Sequence, residues 1–231
     1  MDVANIALAP SRTRLVAPNP HDGAIGTTGG ALGFGGLGIA VLLMTYLHVV
    51  ASGLINPLDR TMSDYVHVPG SGWAFGASVL AIAVATIGTG IGLARVGLLG
   101  SRLLRLALVL TIVGALLAGT FPTNASGPLT MAAEIHRYSA GVVFFCVPIA
   151  AALTGIALRG SRYDTARRWL FVGAAISAGA LVLFLGSHFG SLPEGFQALR
   201  GLFQRLLLAI ELGVLAMLTY LPAHMARRTR C

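Results

Sequence analysis

No lysine occurs in this chain of 231 residues, and charge of either sign is scarce: sixteen arginines and eight acidic residues, 10% charged in all. Ordinary soluble domains carry about 25% charged residues, so the composition excludes a water-facing globular surface. Cysteine is nearly absent too. Cys146 lies inside an apolar run and Cys231 is the last residue, which leaves no disulfide framework, no CxxC pair and no Cys/His zinc spacing. The redox compartment stays open. Arginine-aromatic patches of the kind that grip nucleic acid are missing as well, so no nucleic-acid partner is expected.

What the chain does have is apolar length. Residues of the apolar classes make up 55% of it, and glycine, at 30 residues, is abundant, as expected where membrane helices approach closely on small side chains. Six apolar runs lie at about 33–55, 73–94, 103–121, 135–158, 168–189 and 201–221, each near the roughly 20 helical residues that cross a hydrocarbon core. Spanning β-strands would be half as long and strictly alternating. The sequence therefore predicts an all-α polytopic membrane protein, six transmembrane helices in one bundle. A cytoplasmic tail over 1–30, rich in Pro and Gly and unlike a secretory signal, precedes a membrane domain over 31–223, and a basic tail over 224–231 follows. Gly88 and Gly92 form a small-xxx-small pair for helix packing, and Pro148 is expected to kink the fourth span.

The arginines set an orientation. Arg12, Arg14, Arg95, Arg102, Arg105, Arg159, Arg162, Arg167, Arg168, Arg227, Arg228 and Arg230 fall on one side; Arg60, Arg137, Arg200 and Arg205 fall on the other. Positively charged flanks stay inside, which places both termini in the cytoplasm and the first, third and fifth connections outside.

Polar chemistry then gathers at the outer side. The first connection, Asn56 to Tyr65, packs Asp59, Arg60, Thr61, Ser63 and Asp64 into ten residues. His48 leads up to it on a stripe with Thr45, Ser52 and Asn56, at helical offsets of three, seven and eleven. Asn124 and His136 flank the third connection, His188 opens the fifth, and the sixth span starts with Arg205 and carries Glu211 further in. Ionisable groups inside a membrane are expensive, so Glu211 is expected to be protonated or partnered, and Arg205 is expected to pair with Asp59 or Asp64. Ordinary interhelical hydrogen bonds, helix-end histidines and snorkelling are the structural alternatives for His48, His136, His188 and Arg205.

Four short motifs carry a family resemblance. Asn56-Pro57 with Met62-Ser63-Asp64-Tyr65, then Gly119-Thr120-Phe121-Pro122-Thr123-Asn124, then Ile135-His136, then Gly201-Leu202-Phe203-Gln204-Arg205 follow one another in a six-span frame. In this the chain resembles a prokaryotic six-span membrane family known as domain of unknown function nine-nine-eight, over about residues 33–222. The resemblance implies the fold and a prokaryotic plasma membrane, and points to Ser63, Asp64, His136 and Arg205. It departs at Asn124, where the family tends to have Asp, which weakens any carboxylate role there. The family is also distantly similar to eukaryotic six-span proteins tied to lipid and anchor remodelling, an analogy of fold alone.

Three functions compete. The first is binding or handling of a lipid or small amphiphile in an outward-facing polar pocket, with His48, Asp59, Asn124, His188, Arg205 and Glu211 as binding residues and membrane lipids as partners. The second is a membrane-embedded hydrolase or transferase using Ser63, Asp64 and His136, either as a Ser63–His136–Asp59 arrangement or around a metal on Asp64, His136 and His188. The sequence does not identify a metal or other cofactor; recurring helix histidines offer a single b-type haem as a fourth reading. The third is a proton-coupled transporter relaying through Glu211 and His48. Expected convergence of Ser63, Asp64, His136, His188 and Arg205 on one outer cavity is what the structure can answer.

Overall fold

Six helices in the computed structural model are long and apolar enough to cross a membrane: α1 (Gly23–Val50), α2 (Trp73–Arg95), α3 (Arg102–Thr120), α4 (Met131–Ala157), α5 (Asp164–His188) and α7 (Arg200–Arg228), with α6 (Glu194–Gln197) a single turn ahead of α7. The structure describes residues 23–124 and 127–228, with side chains over 28–124 and 127–226. No strand occurs among the described residues. The six expected runs fall on these helices. The remainder of the expected tails, 1–22 and 229–231, with Arg12, Arg14 and Cys231, lies outside the described residues.

Helix limits follow local chemistry. Val50 ends α1 earlier than the apolar run does, because the chain turns through Gly53 at φ 87°, a left-handed conformation that closes a helix. Ser52 and Asn56 therefore leave the helical stripe expected of them. Thr45 and Ser52 are exposed and bond back to Val41 and Val49 carbonyls. Ser101 caps α3 and Thr130 caps α4, their hydroxyls accepting from the N–H of Leu104 and Ala133. Helix α4 continues through Pro148, and α7 through Pro222.

Polarity is inverted relative to a water-soluble fold. Leu42, Val49 and Val182 are among the large apolar side chains on the surface, whereas Thr86, Thr89, Thr111, Thr154 and Ser177 are buried. Each of these threonines bonds the carbonyl four residues back in its own helix. Such a molecule is stable only where lipid covers the apolar faces and every backbone group is satisfied internally.

Consecutive spans pack side by side, α1 on α2 through to α4 on α5, and α7 closes the ring by packing on both α5 and α1. It also touches α2 and α4, so the last helix is the common wall of the bundle. Close backbone approach at the α1–α2 seam requires glycine. A Cβ on Gly36 would stand 2.6 Å from the Ala81 carbonyl oxygen, and one on Gly88 the same 2.6 Å from that of Gly29. Gly92 takes up Pro222 of α7 instead, at 3.2 Å. The connections 51–72, 121–130 and 189–199 share one end of the bundle, called the loop end below. The start of α1 and the close of α7 share the other, the termini end.

Candidate functional site

At the loop end, Arg205 in the second turn of α7 turns its guanidinium into the first connection. Nη1 donates to the carbonyl oxygens of Pro57 (2.7 Å), Arg60 (2.7 Å) and Gly201 (3.0 Å). Nη2 donates to Tyr65 Oη (3.1 Å), and the guanidinium lies over the Tyr65 ring at 5.5 Å. Nε donates to His48 Nε2 at 2.9 Å. His48 Nδ1 sits 2.8 Å from the Met44 carbonyl oxygen. A carbonyl only accepts, so the two partners together assign the tautomer: Nδ1 carries the hydrogen and Nε2 receives one.

The neighbours of Arg205 grip the same loop. Leu202 N–H donates to the Leu58 carbonyl (3.0 Å), Arg200 Nε to that of Asp59 (2.7 Å), and Gln204 Oε1 accepts from Met62 N–H (2.6 Å). A Cβ at Gly201 would collide with the Arg60 carbonyl oxygen and stand 2.7 Å from that of Pro57. Glycine there lets the loop lie directly on the helix. The motifs Asn56–Tyr65 and Gly201–Arg205 are thus two halves of one clamp.

The ion pair expected between Arg205 and Asp59 or Asp64 does not form. Asp64 folds back on its own turn, Oδ2 accepting from Thr61 N–H (2.8 Å) and Thr61 Oγ1 (3.1 Å). Asp59 Oδ1 is buried with no hydrogen-bond partner. The cause is geometric. A tight loop turns several carbonyls inward, and a planar guanidinium with five N–H donors satisfies them together.

A second clamp joins the other two motifs. His136, 6% exposed on α4, lies with Nδ1 2.8 Å from the Ala118 carbonyl oxygen and 3.0 Å from that of Phe121, where α3 ends. Both partners are acceptors, so Nδ1 donates and Nε2 is the ring nitrogen left over. Asn124 fastens the connection itself, Nδ2 donating to the Pro128 carbonyl (2.7 Å) and Oδ1 accepting from Thr130 N–H (3.2 Å) and Oγ1 (3.0 Å). An amide does this work and a carboxylate would lack the donor.

Between the clamps lies a cavity of about 60 Å³. Ser63, His136 and Gln204 are its polar lining; Met44, Phe75 and Phe144 are among the apolar side chains that complete it. Ser63 Oγ is 2.9 Å from Thr61 Oγ1. Among the described residues no protein group takes up His136 Nε2 or the Nε2 hydrogens of Gln204. The buried residues His136 and Gln204 thus line one space, each with a polar nitrogen not taken up by protein.

The expected convergence on a single cavity is divided by the structure. Ser63 and His136 share the cavity, while Arg205, Asp64 and His48 belong to the clamp beside it. His188 stands apart, with Arg137 Nη2 3.2 Å from its Nε2, its ring against Phe184 and Phe189, and Nδ1 buried without a partner. Glu211 lies deeper, 4% exposed, accepting from Ser177 Oγ at 3.2 Å. No three His, Cys, Asp or Glu side chains among the described residues are grouped to hold a metal ion, so Asp64, His136 and His188 do not form the metal site weighed from sequence. Gln204 is the lining residue sequence reasoning passed over. Its motif was visible; that it, and not Arg205, borders the cavity depends on the roughly 100° between neighbours on a helix.

Inverted polarity, six spans and the double clamp define a multi-pass, all-helical membrane protein. The chain belongs to the family described as protein of unknown function (DUF998), which it matches over residues 6–221. No curated protein and no solved structure matches it.

Proposed function

We propose that the protein binds a lipid or small amphiphile at its loop end, seating the polar group of the ligand in the cavity between the two clamps. The observation that carries this is the pair of unspent groups, His136 Nε2 and the Gln204 amide, bordering one mainly apolar space. A donor and an acceptor together suit a hydroxyl or amide end, while Met44, Phe75 and Phe144 suit the apolar remainder. A volume of about 60 Å³ fits a polar end and excludes a whole lipid, whose body stays among the helices or outside them. The arginine distribution supports reading this end as the outer face, and the family resemblance supports reading the membrane as a prokaryotic plasma membrane.

The test uses protein extracted in mild detergent, with bound small molecules identified by mass spectrometry. His136→Asn keeps a donor near the Nδ1 position and deletes Nε2; it should fold and lose the bound species. An unchanged complement of bound molecules in that variant rejects the cavity as the binding site.

A hydrolytic role is the alternative, favoured by Ser63 and His136 lining the same cavity. Against it, the Asp64 carboxylate is committed to Thr61, and among the described residues no carboxylate orients His136. A serine-directed fluorophosphonate should label Ser63 if this role is real; labelling equal in wild type and Ser63→Ala removes it.

A further inference from the structure

A second cavity lies at the termini end, far from both clamps. It is a cleft of about 430 Å³ between the start of α5 and the close of α7. We propose that this cleft is a seat for an anionic phospholipid of the adjoining leaflet. The placement is independent of the loop-end cavity and stands or falls without it.

The cleft has the polarity gradient of a lipid. Arg162, Tyr163 and His224 line it where the helices meet the boundary, and Trp169 and Tyr220, 60% and 56% exposed, flank it at the level aromatic side chains favour in membranes. At the depth of those two aromatics Leu170 and Leu221 form the inner wall, and a further turn in Met217 floors the cleft. His224 to Met217 spans about 10 Å along a helix, the distance over which a phospholipid passes from phosphate to acyl chain.

Arg162 supplies the charge. Its guanidinium lies over the Tyr163 ring at 5.3 Å, with Nε and Nη2 donating to Tyr163 Oη at 3.3 and 3.2 Å. Tyr163 is itself buried and meets the His224 ring edge-on at 6.4 Å. The arginine is therefore held in place before any ligand arrives. No carboxylate pairs with it among the described residues: the two ion pairs there, from Arg167 and Arg168, both go to Asp164. An oriented, uncompensated guanidinium above an apolar floor fits a phosphate that carries its own acyl chains. The excess of arginines at this end, including Arg95, Arg102, Arg105 and Arg159, disfavours the added cation of a zwitterionic headgroup.

Purified full chain in detergent should be titrated with phosphatidylglycerol, with phosphatidylcholine of the same acyl chains, and with glycerol phosphate, following bound mass and thermal unfolding. Phosphatidylglycerol should bind and raise the unfolding temperature, with the other two markedly weaker. Arg162→Gln should weaken phosphatidylglycerol binding about tenfold or more, the loss expected for a charged hydrogen bond. Arg102→Gln, exposed at the same end and outside the cleft, should leave it unchanged. Equal binding of phosphatidylcholine overturns the charge requirement, equal binding of glycerol phosphate overturns the lipid, and equal loss in the two arginine variants overturns the site in favour of diffuse attraction. If Arg162→Gln does not fold, Met217→Trp, which fills the floor, must show the same loss; unaltered binding in that variant also overturns the proposal.

Discussion

Arg205 Nε and His48 Nε2, 157 positions apart in sequence, lie 2.9 Å from each other and join the last span to the first. The same guanidinium holds two carbonyls of the first connection and the Tyr65 hydroxyl. Lysine keeps the charge and loses the fork. Arg205→Lys should therefore destabilise the bundle by about 2–4 kcal/mol, since several loop carbonyls lose a charged donor. Reversible unfolding in mixed detergent micelles measures it, and limited proteolysis should show first cleavage in 51–72. A variant as stable as wild type, with that segment protected, would contradict the clamp.

Gly201 supplies a sharper test, because its cost is steric. An added Cβ meets the Pro57 and Arg60 carbonyls, whereas one on Gly213 of the same helix meets nothing within 4 Å. Gly201→Ala should cost about 1–3 kcal/mol through forced displacement of the loop. Gly213→Ala should be neutral or stabilising by up to about 1 kcal/mol. Similar unfolding curves for the two variants would show that the loop does not lie on α7 there.

Substitutions at His136 separate its two nitrogens. Asparagine offers a donor near Nδ1 and should preserve most of the stability; glutamine offers a polar group near Nε2 and releases the Ala118 and Phe121 carbonyls. Alanine loses both and should cost about 2–4 kcal/mol, combining a cavity with stranded acceptors. Measured order of stability should be wild type, Asn, Gln, Ala. Gln more stable than Asn would mean that Nδ1 is not the structural nitrogen.

Much of this was legible in advance, and the boundary between what was and was not is physical. Span number, span position and the importance of the four motifs follow from apolar length and local composition, which are properties of the chain taken in order. What the motifs do with one another is not. Asp59 and Asp64 looked like partners for Arg205 because charge is visible in a sequence, while backbone carbonyls, present at every residue, are not. Arg205 chose the carbonyls. His136 was identified as important, yet its partners on α3 are again main-chain atoms. The cleft at the termini end is not legible in the sequence because Arg162, in the connection before α5, reads as a topology signal, and His224, near the close of α7, is 62 positions away from it.

Glu211 separates transport from structure. Its hydrogen-bond partner among the described residues is the Ser177 hydroxyl, and glutamine retains both the acceptor oxygen and the volume. Glu211→Gln should therefore unfold within about 1 kcal/mol of wild type. Any proton-coupled flux through the protein in reconstituted vesicles should vanish in this variant. Flux that survives the substitution removes Glu211 as a relay.

Sidedness can be measured directly. With Cys146 and Cys231 replaced by serine, a single cysteine at Ser191 of the loop end should react with a membrane-impermeant maleimide added to intact cells. One at Ser161 of the termini end should react only after permeabilisation. The opposite pattern would invert the orientation drawn from the arginines.

The seam between 57–60 and 201–205 also fixes an order of events. A ribosome releases the first connection well before α7 is made, and its carbonyls then face no Arg205 guanidinium. They must wait, hydrated at the membrane surface, until Gly201–Arg205 is delivered with the final helix. The seam is thus closed only once α7 has been made, however early its other half is in place.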